Sequence, residues 1–460
     1  MQTTFLRRAS LLGLLAIAAA ACGGGTSTDP TTSASEPSES TPATGEPSAS
    51  ESASPSESES DTGPPTAHVD GILTIGSLLP ETGDLAVLGP PMYNGVELAI
   101  SQINEAGGAL GQEVAYVQGD DGTDEEIAGQ TADRLINTDN VDAIVGPASS
   151  RITLSVIDTI TGDEIVECSP SNTGSGLTTH EADVPGFYFR TPPADNLQGP
   201  ALADVILADG HQTVTIVHLN DEYGSGFAGH LETALTGGGA TVVKVPYDPD
   251  GEEFSTEVGQ ALEAGSDAIA LLSFPDTGTK IISGLLEGGI EPSQMYTADG
   301  MQSGDVIALV SGGAETFADL PEDQRGTLDG MKGTAPSSQG SEAFQNAFTA
   351  FAPEGTAQIF SAHAYDCVII IALAASVAGT DAGPDIAAEM VGVTRDGEKC
   401  TDYAACLALI EAGTDIDYDG AAGPGEWVDE GEPSAGTYEV WQFDGTADGG
   451  YTTTDTVDVG

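Results

Sequence analysis

The sequence predicts an α/β protein of two lobes, each a mainly parallel sheet flanked by helices, with a ligand cleft between the lobes. Three observations carry this. Apolar runs of strand length alternate with amphipathic segments of helix length from about residue 70 to residue 300. The loops between them are rich in Gly, Ser, Thr, Asn and Asp. A stiff link, Thr191-Pro192-Pro193, divides the alternation into two series. With 460 residues the chain is also too long for one ordinary domain.

The first series opens with Gly71-Ile72-Leu73-Thr74-Ile75-Gly76-Ser77-Leu78-Leu79, which breaks at Pro80 into a turn holding Thr82-Gly83. Val96, Ala99, Ile100 and Ile103 recur at helical spacing, and Gly107-Gly108 ends that helix. Residues 113–121 alternate as a strand that ends on Asp120-Asp121, a pair expected to shape a turn rather than bind calcium. Asp124 is placed to cap the next helix. Ala143-Ile144-Val145-Gly146-Pro147 is a short buried strand followed by the loop Ala148-Ser149-Ser150. Ile165 to Pro170 is another strand, followed by Ser171-Asn172-Thr173-Gly174-Ser175.

The second series repeats the logic. Strands are expected at Val214–His218, Thr241–Val245, Ala268–Phe274 and Gln294–Gly300, with Asp221-Glu222-Tyr223-Gly224 as the first loop. Residues 301–330 read as irregular, and Gly330–Pro336 as a second crossing between the lobes. Helices are expected near 341–352 and 357–378. The second is strongly apolar but lacks the length of a membrane span, so it reads as a core helix. Glu426-Trp427-Val428 and Tyr438–Phe443 read as strands, a third crossing and an edge hairpin. The lobes are therefore expected at 70–192 with about 330–419, and at 193–329 with about 420–460.

Residues 1–22 read as a targeting segment: Arg7-Arg8, an apolar stretch from Leu11 to Ala20, and small residues ending in Cys22. The pattern resembles a bacterial lipoprotein signal, in which that Cys carries the lipid. Residues 23–67 are nearly all Gly, Ser, Thr, Pro, Ala and Glu, so they cannot bury enough apolar surface to offset ordering and are expected to form a disordered tether. The expected location is extracytoplasmic, lipid-anchored to the cell membrane. Acidic residues number 73 against 11 basic ones, for a net charge of -62, which excludes nucleic acid as a partner because nothing could neutralise its phosphates. An exported chain permits disulfides. A local bridge is expected between Cys400 and Cys406, while Cys168 and Cys367 read equally as a bond or as two buried thiols.

Leu79-Pro80-Glu81-Thr82-Gly83, Asn94-Gly95-Val96-Glu97-Leu98-Ala99, Gly107-Gly108, Asp120-Asp121, Val145-Gly146-Pro147-Ala148-Ser149-Ser150 and Asp221-Glu222-Tyr223-Gly224 occur in that order. As a set they resemble the leucine/isoleucine/valine-binding type of periplasmic binding protein (type 1), the receptor component of ABC importers. The resemblance implies a monomeric receptor that closes on a branched-chain or other aliphatic amino acid and delivers it to a membrane permease with separate ATPase subunits. It implies that Ser150 presents its hydroxyl to the ligand carboxylate, with Ser171 and Thr173 around the same head group. Tyr223 and Phe274 would close from the second lobe, and Asp299 would pair with the ammonium. Leu88 stands where relatives often carry an aromatic residue, and Asp299 is shorter than the Glu expected there. Both departures leave room for a different ligand, such as a short amide or urea.

The chemistry of these residue types agrees. Hydroxyls and amides at helix N-termini suit a carboxylate, and one carboxylate in a closed cleft suits an ammonium. Plainer roles exist for each: Ser150 and Thr173 fit helix caps, Tyr223 fits loop packing, and Asp299 before Gly300 fits an ordinary turn. No cofactor is expected. His211, His218 and His230 fall on different elements, so no metal site is expected either. No G-x-S-x-G, H-E-x-x-H or G-x-x-x-x-G-K-[ST] motif occurs, so an enzyme is not expected. A ligand-sensing module reporting to a signalling partner is the alternative from another class.

Overall fold

The computed structural model describes residues 69–180, 186–337, 340–423 and 425–460. The expected signal segment with Cys22 and the expected tether lie outside the described residues.

The first sheet is built from β1 (Thr74–Leu79), β2 (Ala115–Asp120), β3 (Ala143–Val145), β4 (Val166–Ser169) and β5 (Tyr188–Arg190), interleaved with α1 (Gly89–Glu105), α2 (Glu125–Asn137), α3 (Ser150–Gly162) and α4 (Gly176–His180). Its order is β2-β1-β3-β4-β5, all parallel, with Ile75 between Tyr116 and Ala143 in register. β1 is nearly continuous in apolar and small residues because helices cover both faces of a parallel sheet. Asp124 caps α2, its Oδ1 accepting from the amides of Glu126 and Ile127.

The second lobe continues with α5 (Asp195–Ala208), β6 (Thr213–Leu219), α6 (Glu222–Gly237), β7 (Thr241–Tyr247), α7 (Ser255–Ala264), β8 (Ala268–Leu272), α8 (Pro275–Glu287), β9 (Met295–Thr297), α9 (Asp305–Ser311) and β10 (Lys332–Pro336). Returning to the first lobe, the chain forms α10 (Glu342–Phe351), α11 (Ser361–Ala378), α12 (Gly383–Glu389), β11 (Glu398–Cys400), α13 (Tyr403–Glu411) and β12 (Ile416–Tyr418). It ends in β13 (Gly436–Phe443) and β14 (Tyr451–Val459). The second sheet has the order β14-β13-β10-β9-β8-β6-β7 and is parallel except around β13, which runs antiparallel to both neighbours.

Three expectations need correction. Gly330–Pro336 is not a crossing: Lys332–Pro336 pairs with β9 and β13 inside the second sheet, so the chain leaves that lobe after residue 336. The run Lys-Gly-Thr-Ala-Pro has no apolar pattern of its own. Gly333 takes part because the Trp441 ring lies where its Cβ would stand, 2.4 Å away. Residues 301–330 are not wholly irregular, since α9 lies within them. Trp427 makes only a single bridge to Pro433 rather than a strand, and its ring stacks on Phe189 at 5.8 Å.

α11 is apolar and long enough to match a membrane span by composition, yet it is buried all round as the core helix of its lobe. It lies against α1, where Gly95 permits the approach: a Cβ there would stand 2.2 Å from the Ser361 carbonyl oxygen. A disulfide joins Cys367 of α11 to Cys168 of β4, and a second joins Cys400 to Cys406. Asp366, also on α11, accepts hydrogen bonds from the Tyr418 hydroxyl and the amides of Ala421 and Ala422, tying down the start of the last crossing.

Candidate functional site

In an open parallel sheet, ligands sit beyond the carboxyl ends of the strands where strand order reverses. In the first sheet that point lies between β1 and β3, because β2 is on one side of β1 and β3 on the other. In the second it lies between β6 and β8, by the same arrangement with β7. The loops leaving these four strands carry Leu88, Ser150, Tyr223 and Phe274. A small cavity between the two switch points is lined by all seven residues anticipated from sequence: Leu88, Ser150, Ser171, Thr173, Tyr223, Phe274 and Asp299.

On the first-lobe side, the polar wall is two loops clamped together. Asn172 donates from Nδ2 to the carbonyls of Pro147 and Ala148, while its Oδ1 accepts from the hydroxyls of Thr153 and Tyr188. Ser171 Oγ donates to the Ala148 carbonyl, and Ser150 Oγ accepts from the Gly174 amide. Ser150 opens α3, so the first amides of that helix have no intrahelical acceptor. The hydroxyls of Ser149 and Thr173 are buried and have no partner among the described residues. Unused donors at a helix N-terminus make this wall a seat for an anionic group. Asp121, pushed up to about 7 by burial, supports it from behind by accepting from the Ala148 amide at 3.3 Å. Asp120 accepts from the amides of Glu81, Thr82 and Gly122, so the acidic pair shapes turns.

The second-lobe side is aromatic and acidic. Tyr223 stacks on Phe274, with ring centroids 5.3 Å apart. Asp299 is 4 % exposed; its Oδ1 accepts from Gln198 Nε2 at 2.8 Å, with the Tyr223 hydroxyl at 3.5 Å. Burial pushes Asp299 up to about 6. Opposite charge is absent from its hydrogen bonds, so an approaching cation would find a desolvated carboxylate.

Sequence reasoning missed several residues. Leu85 and Phe360 complete the apolar wall with Leu88, Ala148 and Phe274. Phe360 holds φ at +56°, a conformation costing roughly 1 kcal/mol for a residue with a Cβ. Nothing in its neighbourhood in the chain announces this. Asp195, at the first position of α5, is fully buried with neither carboxylate oxygen hydrogen-bonded among the described residues. In sequence it reads as an acid in a first helical turn, and only the fold brings it beside Thr173, whose carbonyl accepts the Asp195 amide at 2.8 Å. Arg190 is wholly buried and committed elsewhere, to Glu432, the Gly174 carbonyl and the Thr178 hydroxyl.

The lobes meet around this cavity. The Asp276 amide donates to Asp84, the Gly176 amide to Glu222, and Ser175 pairs with His230. Arg151 on α3 reaches both Glu125 of its own lobe and Asp250 of the other. An outer cavity of about 300 Å³ adjoins the inner one at Phe274 and includes Asp84, Arg151, Asp221 and Lys280. The site is therefore closed, and each lobe supplies one chemical half of it. Among the described residues, no group of three or more His, Cys, Asp and Glu side chains is placed to hold a metal ion.

Comparison with known proteins agrees with this geometry. The family model described as periplasmic binding protein matches residues 72–427. The chain is 27 % identical over 373 residues to the chemotactic signal transduction system substrate-binding protein BasB of Halobacterium salinarum, covering 79 % of this chain and 85 % of that one. It is 27 % identical over 351 residues to Leu/Ile/Val-binding protein homolog 3 of Brucella melitensis, covering 74 % and 88 %. Among solved structures, the leucine-binding protein LivK of Thermotoga maritima superposes with a TM-score of 0.68 at 19 % identity, over 84 % of this chain and 99 % of that one. An R. palustris solute-binding protein in complex with benzoate superposes with a TM-score of 0.64 at 19 % identity, over 84 % and 96 %.

Proposed function

Since the chain belongs to the periplasmic binding protein family, whose members bind solutes rather than transform them, we propose that it captures a branched-chain or other aliphatic amino acid and passes it to the membrane permease of an ABC importer. The observation that carries this reading is the division of one closed cavity into two chemical halves. Buried hydroxyls and helix-terminal amides lie on one wall, and a desolvated carboxylate, Asp299, on the other. A zwitterion satisfies both, with its carboxylate taking the hydroxyl hydrogens of Ser150 and Thr173 beside Ser171, whose hydroxyl holds the Ala148 carbonyl, and its ammonium on Asp299. Leu85, Leu88, Phe274 and Phe360 leave an apolar space for an aliphatic side chain. Benzoate, the ligand in the R. palustris complex, has no ammonium and would leave Asp299 buried and unpaired. Closure joins the lobes into one surface, and a permease can distinguish that surface from the open form.

The test is thermal stabilisation against a panel of amino acids, short amides, urea and benzoate. A bound ligand at about a hundred times its dissociation constant should add roughly 2.7 kcal/mol. Stabilisation by aliphatic amino acids is expected; a response only to amides, urea or benzoate would overturn the amino-acid reading.

Extracytoplasmic location follows from the family. Anchoring through Cys22 is part of the proposal and rests on the Ala19-Ala20-Ala21-Cys22 motif. Cys22→Ser should release the protein from membranes, and continued retention would place the anchor elsewhere. A second reading, in which the closed form reports to a signalling partner, is favoured by the similarity to the chemotaxis protein BasB.

A further inference from the structure

We infer that Asp195 is a second acceptor for the ligand's ammonium group, and that an amino acid enters the site by displacing a proton held by Asp195 and Asp299. This rests on the amino-acid reading above.

Asp195 is 0 % exposed; no donor reaches hydrogen-bond geometry with its carboxylate oxygens among the described residues, and the neutral Thr173 hydroxyl beside it favours its charge without outweighing burial. An ionised carboxylate in that condition is prohibitively costly, so the group either carries a proton or awaits a cation. Its position indicates which cation. The Asp195 amide is bonded to the carbonyl of Thr173, a residue of the cavity wall whose hydroxyl is also unpartnered. One helical turn along α5, Gln198 donates to Asp299, also on that wall. Residues three apart share a helix face, so Asp195 lies on the side of α5 that meets Asp299, close enough to feel its charge; Asp299 lines the cavity and Asp195 adjoins the lining residue Thr173.

The charged and titratable groups facing Asp195 supply no neutralising partner. Asp299 and Glu222 are like charges, while burial keeps the hydroxyls of Tyr223 and Tyr438 protonated. Arg190 is the single cation acting on Asp195 there, and its guanidinium is engaged by Glu432, Thr178 and the Gly174 carbonyl. Burial, with Asp299's charge added, holds Asp195 well above the usual carboxylate range, while Asp299 itself stands at about 6.

Near neutrality the empty pair therefore carries a proton. A primary ammonium set between the two carboxylates stabilises both as anions, and the displaced proton leaves to solvent. The ligand keeps its own charge and no covalent bond changes. Only N–H donors can bridge the pair, so the site selects free amino acids over N-trimethylated or deaminated analogues of the same shape.

Calorimetric titration of the protein with the tightest-binding common L-amino acid, in phosphate and in Tris buffer, tests this. Tris takes up a proton with a large heat and phosphate with a small one, so the apparent enthalpies should differ by about one released proton near pH 7. Affinity should rise with pH by up to about tenfold per unit through neutrality, for as long as the empty pair holds its proton, and level off only once the pair is ionised. Asp195→Asn, an isosteric change that removes a buried acid, should weaken binding by at least about thirtyfold and abolish the buffer difference. Equal enthalpies in both buffers would overturn the proposal, as would an Asp195→Asn protein that binds like wild type with the same proton release. Should the variant fail to fold, the wild-type buffer comparison decides. Failure of every amino acid to bind wild type would sink the amino-acid reading and this inference with it. Binding without proton release would sink this inference alone.

Discussion

Asp299 illustrates how a side chain's chemical type is legible in the sequence while its setting is not. The family resemblance made it a candidate for ammonium pairing, and it lines the cavity, buried and hydrogen-bonded by neutral groups among the described residues. Asp299→Ala should abolish binding of amine ligands, a loss of about 2–5 kcal/mol, because the ammonium would then be buried without its counter-charge. The melting temperature of the ligand-free protein should hardly change, since a desolvated carboxylate contributes little to folding. Ligand affinity intact in that variant would remove Asp299 from the site. Asp195 was not legible in the same way. An acid in a helix's first turn is a common cap, and its burial depends on strands and helices distant in the chain. Phe360 is a third case: it lines the cavity with a left-handed backbone that its neighbours in the chain do not announce.

Elements with both faces buried announced themselves by composition. β3 and β8 are short runs of apolar residues, β1 is apolar and small throughout but for Thr74, and α11 is apolar on most of its surface because it is packed on all sides. β10 did not, since Lys332–Pro336 becomes a strand only through its pairing with β9 and β13. That single misassignment displaced the expected lobe boundary. The cysteines divide along the same line. Proximity in sequence made Cys400 and Cys406 a natural pair. Cys168 and Cys367 lie 199 residues apart and meet only because α11 packs across β4. In the chain-entropy account the long-range bond contributes about 5 kcal/mol and the local one about 2 kcal/mol.

At the scale of the whole molecule, the net charge of -62 and a set of buried carboxylates act in the same direction. Burial pushes Asp84, Asp299 and Asp366 up to about 6, Asp121 to about 7 and Asp142 to about 8. Each exceeds the unfolded value of about 3.9, so the folded state holds more protons through that interval. The associated stability is fully present below about pH 4 and is lost as pH rises through 6 to 8. Asp120, Asp209 and Asp381 are held below the usual range by hydrogen bonds and oppose this only at lower pH. The melting temperature should therefore fall between about pH 5 and pH 8, and added salt at pH 8 should recover part of the loss by screening self-repulsion. A melting temperature that is flat or rises over this range would contradict the assignment.

By itself the sequence determined the alternation of strands and helices, the two series, and the loops that bear the polar and aromatic cavity residues. Those features follow from short-range periodicity and turn chemistry, which neighbouring residues carry between them. Tertiary structure alone decided where the lobe boundary falls, which distant cysteines meet, and that Asp195 stands buried beside Asp299. Each of these depends on contacts between residues far apart in the chain, and on a burial cost that no local pattern records.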